Sequence, residues 1–156
     1  MLASVRVLDR LVLVNEAKEI KPVAKMIFVN LPVRDLGRAT AFYEAVGAAK
    51  NPQFSDDTAS SMVFSEAIYV MLLTHDKYKM FTRRPIADAH ETSAALLALT
   101  VEDRAEVDRI VDRAATAGGV ADPNPKQDHG FMYGRSFEDP DGNVWELVWM
   151  ASAPGA

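Results

Sequence analysis

The sequence predicts an α+β fold built from two tandem βαβββ modules, and three observations support this prediction. Short apolar runs typical of strands alternate with two amphipathic stretches at helical spacing. Each amphipathic stretch ends at glycine, which often follows the last turn of a helix. The order of strand, helix and further strands then occurs twice along the chain, which indicates an internal duplication.

The first module is predicted to span residues 26–75. The apolar run Met26–Val33 predicts its first strand, and Arg38–Val46 predicts a helix that Gly47 stops. Three short strands are then predicted, of which the last two form a hairpin: Gln53–Phe54, Ser60–Phe64 and Ile68–Thr74.

The second module is predicted to span residues 94–150, after a polar connector at 76–93 that contains about one helical turn. Its predicted elements follow the order of the first module: a strand at Ala94–Val101, a helix at Asp103–Ala117, and a hairpin of Phe131–Phe137 and Asn143–Trp149. Without gaps, Phe28 aligns with Leu96 and Asp35 with Asp103, which supports the duplication.

The ends of the chain lie outside the repeat. Residues 1–25 form an N-terminal extension whose pattern fits either a short strand or an amphipathic helix. The extension is either an over-long start or an arm that contributes to a dimer contact. Residues 151–156 are predicted to be a short tail of small residues.

The composition excludes several classes of protein. The chain has 156 residues, 49% of them hydrophobic and 25% charged, as expected for one globular domain. Its net charge of −5 and the absence of a long basic run argue against a nucleic-acid partner. It contains no cysteine, so disulfides and thiolate chemistry are excluded. The apolar runs are too short for a membrane helix, and we expect a cytoplasmic protein.

Two stretches carry a recognisable pattern: FVNLPVRDLGRATAFYEAVGA near the start of the repeat and SFEDPDGNVWELV near its end. Together they resemble the vicinal oxygen chelate superfamily, which includes glyoxalase I, extradiol dioxygenases, and fosfomycin- and bleomycin-resistance proteins. The resemblance covers about residues 26–150. It implies curved sheets around a shared cleft, often a metal held by four strands, and often a homodimer in which two chains complete a cleft.

The four metal positions implied by this resemblance carry mostly apolar residues. They fall on Phe28, on Met71 or Leu72, on Leu96 and on Glu146. Only Glu146 offers a donor that a divalent metal prefers, and one carboxylate does not hold a catalytic metal. We therefore expect no cofactor, although a divalent metal that uses Glu146 stays an alternative.

Glu146 stands alone in an apolar strand, and an unpaired buried carboxylate is costly. If a four-residue turn at 139–142 closes a regular hairpin, Arg135 lies opposite Glu146 on the same face. Trp145, Leu147 and Trp149 then form the face that packs under the helices. This register predicts an Arg135–Glu146 pair in the cleft; a bulge or separate solvation of the two groups is the alternative.

Strand alternation suggests further cleft residues: Phe28, Asn30, Leu96, Ala98, Tyr133 and Phe137. Core filling is the competing interpretation for the aromatic residues. Glu146, Tyr133 and His75 are the candidate catalytic groups, with Glu146 as a general base. For His75, and more so for His90 and His129, an exposed structural position is the simpler reading.

The expected function is the binding of a small organic ligand in an apolar cleft, without a metal. The alternatives are a metal-dependent lyase, isomerase or dioxygenase with displaced ligands, and a metal-free enzyme that uses Glu146. The connector also carries a basic patch of Lys77, Lys79, Arg83 and Arg84. The simpler interpretation is a solvated surface, and the alternative is a flexible lid that attracts an anionic ligand.

Overall fold

The computed structural model describes residues 25–152, which contain nine strands and three α-helices. The strands are β1 (Ile27–Val33), β2 (Ala49–Asn51), β3 (Ala59–Ser65), β4 (Ile68–Thr74), β5 (Leu97–Thr100), β6 (Val120–Ala121), β7 (Gln127–Asp128), β8 (Met132–Glu138) and β9 (Val144–Met150). The helices are α1 (Leu36–Ala45), α2 (His75–Lys79) and α3 (Arg104–Thr116). Apart from Lys25, the predicted N-terminal extension lies outside the described residues.

Two sheets repeat one strand order, which confirms the predicted α+β fold of βαβββ modules. Sheet one has the order β1-β4-β3-β2, and sheet two has the order β5-β9-β8-β6, with β7 also paired to β8. In both sheets the first strand lies at an edge and runs parallel to the last strand of its module. The predicted boundaries between modules and connector stay a prediction.

The long helices begin at aligned aspartates. The side chain of Asp35 accepts a hydrogen bond from the Arg38 N–H at 2.9 Å, and Asp103 accepts one from the Glu106 N–H at 2.6 Å. Each carboxylate thereby satisfies an N–H group that has no partner within its helix. Gly47, with a φ of 109°, lies just beyond α1 as predicted.

Three local predictions need correction. Residues 53–54 belong to a 3₁₀ turn, Pro52–Phe54, and strand β2 precedes them. Proline at the first position of the turn has the φ that such a turn needs, and Asn51 accepts a hydrogen bond from Gln53. Strand β5 is shorter than predicted, and two short strands that were not predicted, β6 and β7, lie between α3 and the hairpin.

The two modules share one aromatic core. Phe42 and Tyr43 of α1 pack against Phe137 and Trp145 of sheet two, with ring centroids 5.7 Å apart for Phe42–Phe137 and 6.1 Å apart for Tyr43–Trp145. All four side chains are at most 2% exposed. The helix-bearing sides of the modules therefore face each other, and each sheet keeps a second, open face.

A five-residue loop, Asp139–Asn143, joins β8 to β9 and anchors this core. Asp139 is 2% exposed and accepts a hydrogen bond of 2.6 Å from the Tyr43 hydroxyl, which in turn accepts one of 3.0 Å from the Trp145 indole. Gly142 has a φ of 96°, and a Cβ there would lie 2.5 Å from the backbone nitrogen of His90. The loop therefore packs directly on the connector.

Candidate functional site

The open face of sheet one carries the alternate residues of β1 and β4. Leu31 and Leu72 point to the helix side and are buried, whereas Asn30 lies next to Met71 on the open face. Phe28 also lies on the open face, where it stacks on Tyr69 with ring centroids 4.7 Å apart. The predicted shared face of Phe28 and Asn30 is therefore present in the structure.

A cleft of about 460 Å³ lies on this open face. Its floor consists of sheet residues, and its walls are the 3₁₀ turn with the loop after it on one side and α2 on the other. The lining residues are Asn30, Ala59, Met71 and Leu73 on the floor and Gln53, Phe54, Ser55, Asp56, Lys77 and Phe81 on the walls. The cleft thus combines an apolar floor with a few polar groups, as small-molecule sites commonly do.

The open face of sheet two carries Glu146. Its neighbours across the strands are Ala98 of β5 and Ser136 of β8. Trp145 and Leu147 point to the helix side and are 2% exposed, which confirms the predicted apolar face of this strand. Leu96 precedes β5 and is 52% exposed.

The predicted Arg135–Glu146 pair is wrong, because the loop between the strands is one residue longer than expected. Arg135 lies opposite Leu147, and Ser136 lies opposite Glu146. A shift of one residue moves every side chain of a strand to the other face. Tyr133 and Phe137 move with Arg135 to the helix side, so neither lines an open-face cleft.

Arg135 instead joins sheet two to α3. Its guanidinium contacts Asp108 at 2.9 Å and Asp112 at 3.3 Å on that helix, and Asp122 at 2.8 Å in the loop after it. The hydrogen bonds from Arg135 hold the pKa of Asp122 below its ordinary value. At Asp108, partial burial raises the pKa, but hydrogen bonds from Arg135 and Tyr133 lower it, and the net result is a lowered pKa.

None of the three histidines lines the cleft. His75 begins α2, outside the cleft lining. The His90 ring forms a hydrogen bond of 2.8 Å with the Glu138 carboxylate, and the His129 ring lies tilted against Phe131 with ring centroids 6.4 Å apart. The structure therefore does not bring Glu146, Tyr133 and His75 together as one catalytic group.

The residues present do not fit the divalent metal that the sequence resemblance implies. Phe28 and Met71 lie on the open face of sheet one and offer no oxygen or imidazole donor for a divalent ion. Leu96 is equally unsuited, which leaves only Glu146. Among residues 25–152, no group of three or more His, Cys, Asp or Glu side chains could hold a metal ion.

A second cavity of about 420 Å³ lies between the modules, away from the open faces. Phe64 of module one and Leu99 and Ile110 of module two contribute to its mostly apolar wall. Phe137 and Leu147 of the shared core also line it, so it is a gap in the packing of the two modules.

The cleft lining contains residues that the sequence did not assign to a cleft, among them Phe54 and Phe81, whereas Lys77 was predicted in a basic patch with a lid for an anionic ligand as one interpretation. Phe54 was predicted to lie in a strand, and the other two to lie in a connector. The sequence did contain a feature that could have indicated the cleft walls. Large apolar residues stand inside the polar stretches PQFSDD and HDKYKMF, where they are expected to be exposed.

Comparisons with known proteins agree with this architecture. The family model of the Glyoxalase/Bleomycin resistance protein/Dioxygenase superfamily matches residues 25–147. A search of curated proteins found no significant match. Within the part of the chain that the structure describes, no helix is long and apolar enough to cross a membrane.

Several solved structures share the fold. A hypothetical protein, SA1046 from S. aureus, is 25% identical, with a TM-score of 0.67 over 81% of this chain and 94% of that one. A glyoxalase-related enzyme from Fulvimarina pelagi is 19% identical, with a TM-score of 0.70 over 85% and 92%. The fosfomycin resistance protein FosX from Listeria monocytogenes is 18% identical, with a TM-score of 0.60 over 85% and 95%.

Proposed function

Because the chain belongs to the Glyoxalase/Bleomycin resistance protein/Dioxygenase superfamily, we propose that it binds a small organic ligand without the superfamily's divalent metal. The observation that carries this proposal is the cleft on the open face of sheet one. Its volume of about 460 Å³ suits a small molecule, and its floor contains Ala59, Met71 and Leu73. Asn30 and Gln53 add amide groups that orient a bound molecule.

The residues at the implied metal positions favour binding over metal-dependent chemistry. Of the apolar side chains at Phe28, Met71 and Leu96, Met71 lies on the cleft floor, and none of the three supplies a metal ligand. Glu146 is the one carboxylate at these positions, and no histidine accompanies it on the open face of sheet two. A lyase, isomerase or dioxygenase activity would require a bound metal, which the metal content of the purified protein tests.

A second copy of the chain completes the site in this proposal. Strands β1 and β5 are edge strands, and apolar residues beside them are exposed: Ile27 by 56%, Phe28 by 49% and Leu96 by 52%. Exposed apolar edges of this kind favour association. Pairing two copies at these edges would cover these side chains.

A thermal-shift screen of small organic compounds tests the proposed function. Ligands that bind the cleft raise the melting temperature of the protein, because they bind only the folded state. Met71→Trp fills the cleft floor and is expected to abolish each such shift. Val120→Trp, at a position 52% exposed on sheet two, is the matched control and keeps the shifts. Shifts that persist in Met71→Trp would contradict binding in this cleft.

Metal content tests the metal-free part of the proposal. We expect less than about a tenth of an equivalent of Ni, Zn, Fe or Mn in untagged protein purified without chelator, because one carboxylate binds such ions weakly. Glu146→Gln is measured in parallel by inductively coupled plasma mass spectrometry. A near-stoichiometric metal that disappears in Glu146→Gln would overturn this part and lead to lyase and dioxygenase assays.

A further inference from the structure

Two aromatic side chains project from opposite walls of the cleft. Phe54 is 68% exposed and Phe81 is 70% exposed, although both line the same cavity. Phe54 ends the 3₁₀ turn that Asn51 caps, and the N–H of Phe81 donates to the Tyr78 carbonyl at 3.0 Å just after α2. Ordered backbone therefore presents both rings to solvent, where a flat apolar molecule could cover them.

Lys77 supplies a positive charge beside these rings. Its ammonium lies 5.9 Å from the centroid of the Phe81 ring, and its side chain lines the cleft. The backbone N–H of Lys77 donates a hydrogen bond to the Thr74 side chain that caps α2, which fixes the backbone at this position. Among the described residues, Lys77 forms no ion pair within 4.0 Å, in contrast to Lys79, which lies 3.9 Å from Asp76.

Asp56 is the one acidic residue in the cleft lining, and its charge is held by its own loop. Its Oδ1 accepts hydrogen bonds from the Thr58 N–H and hydroxyl, both at 2.7 Å, and from the Ala59 N–H at 3.0 Å. These bonds, led by that of the Thr58 hydroxyl, lower the pKa of Asp56. The charge of Lys77 also contributes to the lowered pKa of Asp56, but among the described residues no ion pair within 4.0 Å joins the two side chains, so the ammonium can pair with a ligand.

We propose that the cleft selects ligands that join a flat aromatic body to an anionic group, with Phe54 and Phe81 contacting the body and Lys77 pairing with the anion. This inference rests on the proposed function and adds a ligand class to it. The ammonium and an anion attract each other more strongly next to apolar walls than in open water. Lys77 is then the residue that determines specificity.

A matched pair of fluorescent probes tests this ligand class. The anionic probe 1-anilinonaphthalene-8-sulfonate and neutral N-phenyl-1-naphthylamine share one aromatic skeleton and differ by the sulfonate. We expect the wild-type protein to bind the anionic probe about tenfold more tightly, as a single partly buried charge pair allows. This preference falls as salt is added, because ions screen the pair. Fluorescence titration at pH 7 gives both dissociation constants.

The Lys77 variants decide the outcome. Lys77→Gln is expected to weaken the anionic probe about tenfold and to leave the neutral probe unchanged, while Lys77→Arg keeps the preference. Lys79→Gln is the matched control and changes neither constant. A preference for the anionic probe that survives in Lys77→Gln would overturn this inference.

Two further variants separate this inference from the proposed function. If Met71→Trp abolishes the binding of both probes but Lys77→Gln leaves the preference intact, the cleft binds ligands and only the ligand class fails. If both probes bind Met71→Trp as they bind the wild type, the proposed function itself fails. Ile110→Trp fills the cavity between the modules, and unchanged binding in it assigns the signal to the cleft.

Discussion

The buried carboxylate of Asp139 is stable in this fold because four hydrogen bonds satisfy it. The donors are the Tyr43 hydroxyl, the N–H groups of Asp141 and Asn143, and the side-chain amide of Asn143. A buried charge without such partners would cost several kcal/mol. The aspartate thus fixes the loop between β8 and β9, and through Tyr43 it fixes α1 on sheet two.

Removal of the Tyr43 hydroxyl is expected to destabilise the protein by about 2 kcal/mol. In Tyr43→Phe, Asp139 loses one donor and the buried Trp145 indole loses its acceptor. Urea denaturation followed by tryptophan fluorescence measures the change. Tyr69→Phe is the control, because its hydroxyl makes only an exposed bond of 3.3 Å to the Glu66 carbonyl. Equal stability of the two variants would contradict a structural role for the Tyr43 hydroxyl.

At the level of elements, α3 is held on sheet two by Arg135. The guanidinium is 7% exposed, whereas Asp112 is 70% and Asp108 is 48% exposed. Loss of the guanidinium would leave the carboxylates of Asp108, Asp112 and Asp122 close together without a positive charge between them. We expect Arg135→Met to lower the free energy of unfolding by about 2 kcal/mol at pH 7, less than for a fully buried pair because water screens two of the carboxylates.

The effect of Arg135→Met is expected to shrink in acid. The folded-state pKa values of Asp122 and Asp108 are depressed, so their stabilising contribution is complete above about pH 4 and is lost as pH falls through the folded pKa values. Urea denaturation at several pH values between 7 and 3 measures this. Arg109→Met, an exposed arginine on the same helix, is the control and changes stability by less than about 0.5 kcal/mol. If the difference in unfolding free energy between the wild type and Arg135→Met stays constant with pH, the ion pairs of Arg135 with Asp108 and Asp122 do not stabilise the fold.

The sequence predicted the elements well but failed at the register of one hairpin. Alternation along a single strand correctly separates Glu146 from Trp145, because neighbouring side chains point to opposite faces. It cannot relate Arg135 to Glu146, since that relation depends on how many residues the loop between the strands contains. The asparagine at position 143 belongs to the loop, where its side chain bonds to Asp139.

The candidate site was predicted only in part, for a similar physical reason. Periodicity identified the open-face position of Asn30, which lies on a regular strand. The walls of the cleft come from a 3₁₀ turn and from a helix of five residues, which leave no periodic pattern in the sequence. Periodicity therefore could not assign Phe54 and Phe81 to the cleft, and composition assigned Lys77 only to a basic patch.

For the whole molecule, the proposed pairing of two copies predicts sensitivity at the β1 edge. We expect the wild-type protein to have twice the chain mass in size-exclusion chromatography with light scattering, and Ile27→Lys to have the mass of one chain. A lysine at a sheet edge is solvated and opposes edge pairing. Val120→Lys, with a similar exposure of 52%, is the control and stays dimeric. A wild-type protein with the mass of one chain would contradict the pairing.

The aromatic core between the modules has a consequence for a chain that is cut in two. Arg83 and Arg84 are exposed in the connector, so trypsin is expected to cleave after Arg83. The halves should then stay together under native conditions, because separation would expose Phe42, Tyr43, Phe137 and Trp145 to water. Co-expressed as separate chains, the same halves should reassemble by fragment complementation, whereas each alone would aggregate.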